Sequence, residues 1–202
     1  MSDLLSIVKE KLMDRRIQKT QDAIIEAFVE LMAEKNFEQI TINEIADRAN
    51  VNRGTIYLHY VDKYDLLHQC IETHLNQLFT NCLPDGDIAN LSSKTAMLRT
   101  FEYLEQHAFF YSTMLTNKGV PAFRNRLLTM AIQSLDKQID MSGINRDMNK
   151  EILVQFLASA AVGVLEWWIA HSMPYPATDM VEHLWLLLER FQMVNKESEF
   201  PV

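Results

Sequence analysis

Two helix-start signals lie eleven residues apart in the stretch TINEIADRANVNRGTIYLHYVDKYDLL, residues 41–67. Thr41 followed by Glu44 is a capping box, in which hydroxyl and carboxylate satisfy each other's free backbone amides. Asn52 is a second cap, placing Arg53, Gly54 and Thr55 in the first turn of another helix. Between the two caps there is room for about two helical turns and the break NVN. Asn50 suits that break, being one of the few residues besides glycine that tolerate a left-handed backbone. Asp62 caps a further helix that runs through Leu66, Leu67, Ile71, Leu75 and Leu78 to about Thr80.

A longer helix precedes them, from about Arg15 to Lys35. Ile24, Ala27, Phe28 and Leu31 form its buried stripe, and Asn36 offers a stop. Ile42, Ile45, Ala46, Val51 and Ile56 are the inward apolar set of the short pair, with Ala46 small enough for two helices to cross closely. Two short helices joined by a tight turn and backed by a longer one make a helix-turn-helix. The second short helix is then free to enter a DNA major groove, its first residues toward base edges and its dipole toward phosphate.

Composition agrees with an all-α chain. Five Gly and five Pro in 202 residues leave little turn material. Apolar residues at 48% and charged residues at 23% predict a packed core. The net charge of −8 argues against blanket nucleic-acid affinity, so a basic face must be local. Lys9, Lys11, Arg15, Arg16 and Lys19, against Glu10 and Asp14, supply one candidate, either a solvated helix face or an arm for the DNA backbone. The two cysteines, Cys70 and Cys82, make no disulfide framework, and the first residues lack a secretory pattern, so a cytoplasmic location is expected. The run ILVQFLASAAVGVLEWWIA at 152–170 is apolar, yet Gln155, Ser159 and Glu166 predict a buried helix without membrane contact.

CLPDGD at 82–87 is the clearest break in composition and divides a DNA-binding region, 1–80, from a second helical domain, 81–202. In the second domain helices are expected near 91–106, 107–116, 120–140, 149–172 and 177–195. It carries no catalytic constellation. The six histidines (59, 68, 74, 107, 171, 183) show no metal-ligand spacing, and no phosphate loop, CxxC pair or nucleophile elbow occurs. No cofactor or metal is expected.

Residues 17–67 resemble the DNA-binding domain of the tetracycline-repressor-like (TetR) family of transcriptional regulators. Phe37 and the whole of 41–67 carry the resemblance, over about a quarter of the chain. One departure is Asn50, where the family commonly has Gly. The resemblance implies DNA contacts for Thr41, Asn43, Asn52, Arg53, Gly54, Thr55 and Tyr57, with His59, Tyr60 and Lys63 as a phosphate clamp. Arg suits guanine, the Thr methyl suits thymine, and Gly54 lets backbone approach DNA. Tyr60 is alternatively a core aromatic, and Leu58 and Tyr64 are expected to pack.

The family likeness further implies an effector pocket, with Tyr103, His107, Phe110, Met114, Phe123, Met130, Glu166 and Trp167 as candidate lining, or else plain core. Glu166 in an apolar helix must pair, face water or meet a cationic ligand. The likeness also implies a homodimer through the last two helices. Ala158, Ala160, Ala161 and Gly163 permit close approach, and Val181, Leu184, Trp185, Leu188 and Phe191 offer an apolar face. The expectation is a repressor that binds a palindromic double-stranded operator as a homodimer and is released by a small molecule. An all-α enzyme using the second-domain cavity and a protein-binding adaptor are the rival readings.

Overall fold

The computed structural model describes residues 2–82, 93–116 and 121–190. Every regular element among them is helical: α1 Ser2–Glu34, α2 Ile42–Arg48, α3 Arg53–His59, α4 Lys63–Cys82, α5 Ser93–Gln106, α6 Ala108–Thr116, α7 Pro121–Gln138, α8 Lys150–Ala170 and α9 Ala177–Arg190. Two short 3-10 turns, Phe37–Gln39 and Gly143–Asn145, join α1 to α2 and α7 to α8. The first helix begins at Ser2, thirteen residues before the expected start near Arg15. The expected break at 83–87, residues 91–92 and 117–120, and the end of the last helix at 191–195 lie outside the described residues.

The described residues divide into two compact units, one ending at His74 and the other beginning at Leu75, within α4. In the first unit α1 packs on α2, and α2 on α3. Ile24, Phe28, Phe37, Ile45, Ile56 and Leu66 are shielded from solvent. Each such side chain contributes roughly 1.5–3 kcal/mol by leaving water. The inward set behaves as its spacing predicts: Ile45, Ala46 and Ile56 are buried, and Ile42 and Val51 lie half-buried at the rim.

In the second unit α8 is the central element, packed on α6 and α7, while α9 lies along α5. Leu153, Val154, Ala158, Val162, Trp168 and Ile169 form the covered side of α8. Among the described residues α8 is the one helix long and apolar enough, by length and composition, to cross a membrane. Its opposite side is exposed and still apolar, with Ile152, Phe156 and Trp167 open to solvent. On α9 the roles differ from those expected: Val181 and Trp185 are buried within the unit, and Leu186 and Leu187 face outward. The reason is the 3.6-residue period: the residues that meet α5 cannot also face a partner. Phe191 lies outside the described residues.

Candidate nucleic-acid interface

The turn between α2 and α3 is built by local chemistry. Thr41 closes the capping box: its side chain accepts from the Glu44 amide, and the Glu44 carboxylate accepts from the Thr41 amide at 2.9 Å. At the other end of α2 the Asn50 amide donates to Asp47 O and the Val51 amide to Ala46 O, at 3.2 and 3.0 Å. These are the two bonds of a Schellman motif, which requires a left-handed residue, and Asn50 supplies it at φ 53. Asn52 then caps α3 by accepting from the Gly54 amide at 2.9 Å. The two helices therefore meet at an angle written by three adjacent residues.

The face of α3 turned away from Ile56 and Tyr60 is open. Arg53 is exposed and held over Tyr57, its guanidinium 5.4 Å from the ring centroid and Nη2 donating to the phenol oxygen at 3.1 Å. Tyr57 is itself half-exposed. Gly54 is exposed, Thr55 half-buried, and Asn43 and Asn52 are exposed. A β-carbon at Gly54 would meet only Asn52 Oδ1, at 3.6 Å, so the isolated fold does not demand glycine there. His59 is half-buried at the end of α3 with its ring 6.2 Å from that of Tyr60.

Three of the expected contact residues are engaged within the fold itself. Tyr60 is 3% exposed and belongs to the core; burial pushes its phenol up to about 12. The Thr41 hydroxyl is committed to the capping box, donating to Glu44 Oε2 at 2.9 Å. Lys63 points inward, its ammonium bonded to the carbonyls of Phe37, Glu38 and Ile40. Conversely Leu58, expected to pack, is 81% exposed, and Val61 is 80% exposed beside it. Helical period carried that signal: Ile56 and Tyr60 are one turn apart and inward, so residue 58 must face away. Tyr64 is half-exposed yet does pack, edge-on against Phe37 at 5.2 Å, and donates to Glu38 at 3.0 Å, which raises its phenol pKa.

Residues 24–70 match the family described as bacterial regulatory proteins, tetR family, and residues 92–190 match the family described as transcriptional regulator C-terminal region. The chain belongs to the TetR family of transcriptional regulators. An uncharacterized HTH-type regulator of Bacillus subtilis, YxbF, is 21% identical over 86% of this chain. The chain spans only 46% of that relative's length. A TetR regulator structure from Streptococcus agalactiae shares 26% identity with a TM-score of 0.65, covering 89% of this chain and 98% of that one. The fatty acid regulator FadR of Bacillus subtilis, solved in complex with stearoyl-CoA, has a TM-score of 0.62 at 20% identity, covering 82% of this chain and 96% of that one.

The C-terminal region of this TetR regulator gathers some of the candidate pocket residues and separates others. Phe110, Met114 and Phe123 are buried, with Phe110 and Phe123 edge to face at 5.9 Å and Tyr111 6.0 Å from Phe123. Tyr103 is half-buried, 6.4 Å from Tyr111, and Met130 is half-buried on α7. His107 is exposed and stacked on Tyr103 at 4.1 Å, so it covers the cluster from outside. Trp167 is also a surface residue, stacked near Tyr175 and His171. Glu166 has its own cation: Arg124 Nε lies 2.6 Å from Oε1. That pairing answers the oddity of a carboxylate in an apolar helix and removes the argument for a cationic ligand.

Proposed function

We propose that this TetR regulator is a homodimeric repressor that binds a pseudo-palindromic operator through α3 and is released by a small-molecule effector. Its DNA-binding domain is taken as residues 1–80 and its effector and dimerisation domain as 81–202, working in the cytoplasm. The observation that carries the reading is the open face of α3, where Arg53 is pre-aimed by Tyr57 beside exposed Asn52, Gly54 and Leu58. A guanidinium already stacked and hydrogen-bonded loses little freedom when it meets guanine O6 and N7. Asn43 and His59 flank that face and are assigned to the DNA backbone. A repressor of this kind works by occupancy, and release follows if effector binding favours a second-domain arrangement that moves the two reading helices out of register with successive grooves. With Glu166 neutralised by Arg124, the cluster of Tyr103, Phe110, Met114, Phe123 and Met130 favours an apolar effector, and the acyl ligand of FadR is the precedent.

Selection of duplexes from a random library by the purified protein tests the core of this. The expected result is two inverted half-sites in adjacent major grooves, one helical turn or a multiple apart. Arg53→Ala should relax one base preference in each half-site, at about 1–3 kcal/mol. No enrichment, or a lone half-site, sinks the reading. By linkage an effector must also bind less tightly when operator is present.

A further inference from the structure

The motif at 41–67 carries four carboxylates against three fixed cations, so it meets a polyanion with no net positive charge of its own. One of the three, Arg48, is taken up within the fold: its guanidinium donates to the two Glu34 oxygens at 2.9 Å and to Glu30 at 3.2 Å. The chain as a whole, at −8, adds repulsion. Counter-charge for phosphate has to come from another part of the first unit. Its first helix is split by charge. Residues 9–19 hold five cations against two carboxylates, whereas residues 20–34 hold four carboxylates and no cation. The acidic half meets α2, since Glu30 and Glu34 are the partners of Arg48. In the basic half Arg15, Arg16 and Lys19 are exposed, and none of them has an ion pair among the described residues. Spacings of three and four put them side by side on the helix surface, where like charges repel and weaken the helix.

We propose that the first half of α1 is a second DNA surface, on which Arg15, Arg16 and Lys19 neutralise backbone phosphates of the duplex that α3 reads. A helix rises about 1.5 Å per residue, so Lys19 and Arg15 stand roughly 16 and 22 Å along α1 from Glu30, the residue tied to Arg48 of α2. That offset is about half to two-thirds of a duplex turn of ~34 Å. It is long enough to meet phosphates away from the reading helix and short enough to share one duplex with it. Phosphate contacts release counterions and carry no sequence information. Specificity therefore stays with α3, and α1 supplies affinity that the near-neutral motif lacks. The repulsion within the row is relieved when phosphates approach it.

The inference rests on DNA binding through α3. In the full-length protein Arg15, Arg16 and Lys19 are replaced together by Gln. Affinity is then measured over a range of salt for the selected duplex and for a mixed-sequence duplex of the same length. The slope of log affinity against log salt should fall by about two to three, close to 0.9 for each phosphate lost. Both duplexes should weaken by the same factor, and selection should return the wild-type half-sites. Replacing Arg99, Lys137 and Arg146 by Gln removes the same charge from exposed positions of the second unit and should leave the slope at its wild-type value. An unchanged slope in the α1 variant, an equal fall in both variants, or a loss confined to the selected duplex overturns the proposal and leaves operator binding standing. Wild-type protein that binds neither duplex removes the DNA reading and this inference together. If the α1 variant does not fold, the wild type carries the test: duplex should slow acetylation of Lys19 and leave Lys137 at its free rate. A Lys19 that reacts as fast on the duplex as off it refutes the contact.

Discussion

Tyr60 and Leu58 sit two residues apart and face opposite ways, and the difference decides what each substitution should do. Tyr60 is enclosed, so Tyr60→Ala removes an aromatic from a packed site and should cost about 3–5 kcal/mol of stability. Leu58 is almost wholly exposed, so Leu58→Ala should leave the melting temperature within the small scatter of surface changes, about 0.5 kcal/mol. Its effect belongs to DNA: the expected outcome is weaker binding to the selected duplex and unchanged binding to mixed-sequence duplex. An isobutyl group on the reading face suits a thymine methyl. Replacing thymine by uracil in the selected duplex should then weaken the wild type and leave Leu58→Ala indifferent. Equal sensitivity of both proteins to uracil would exclude this contact.

At the scale of elements, the local chemistry of the helix-turn-helix was legible because it is written in contiguous residues. The capping box at Thr41, the left-handed Asn50 and the cap at Asn52 each depend on neighbours within four positions, and each is present as its residue types require. What was not legible depends on distant chain. The three carbonyls that take up Lys63 lie more than twenty residues upstream, and Arg124, which takes up Glu166, lies on another helix. Such pairings are set by tertiary packing, which periodicity does not report. The local devices can be tested directly. Asn50→Ala should cost about 1–2 kcal/mol because alanine is strained at positive φ, whereas Asn50→Gly should be neutral. A second test uses pH. Lys35 first, then the Thr41 amide and hydroxyl, hold Glu44 at about 2, below its ordinary 4.5. The folded form thus binds this proton less readily than the unfolded chain. The stabilisation is complete above pH 4.5 and is lost as pH falls from there toward 2. Thermal melts across that window should show a shallower acid decline in Glu44→Gln; an identical decline would remove Glu44 from the account.

At the scale of the molecule, the outer side of α8 is apolar and uncovered in the single chain. Ile152, Phe156, Ala160, Gly163 and Trp167 recur at intervals of three and four, which places them on one stripe. Ile152 is 70% and Phe156 58% exposed, while the other side of the same helix is fully covered. A helix apolar on both sides is incomplete alone. Leu186 and Leu187 are likewise apolar and exposed on α9. We expect a second copy to cover both helices, since a two-fold axis there would pair the stripe with itself and give the DNA-binding units the symmetry an inverted operator requires. Gly163 offers a way to separate dimerisation from folding. A β-carbon added there meets nothing within 4 Å in the single chain. Gly163→Leu should therefore preserve helicity apart from the loss of partner stabilisation, yet hold two α8 stripes apart. Sedimentation should show a dimeric wild type at micromolar concentration and a monomeric variant. The monomer should keep its weak, salt-sensitive affinity for a single half-site, because each α3 is intact. It should lose the gain that comes from binding two half-sites through one linked molecule. A wild type that sediments as a monomer, or a Gly163→Leu variant that stays dimeric with full operator affinity, would move the partner surface off this stripe.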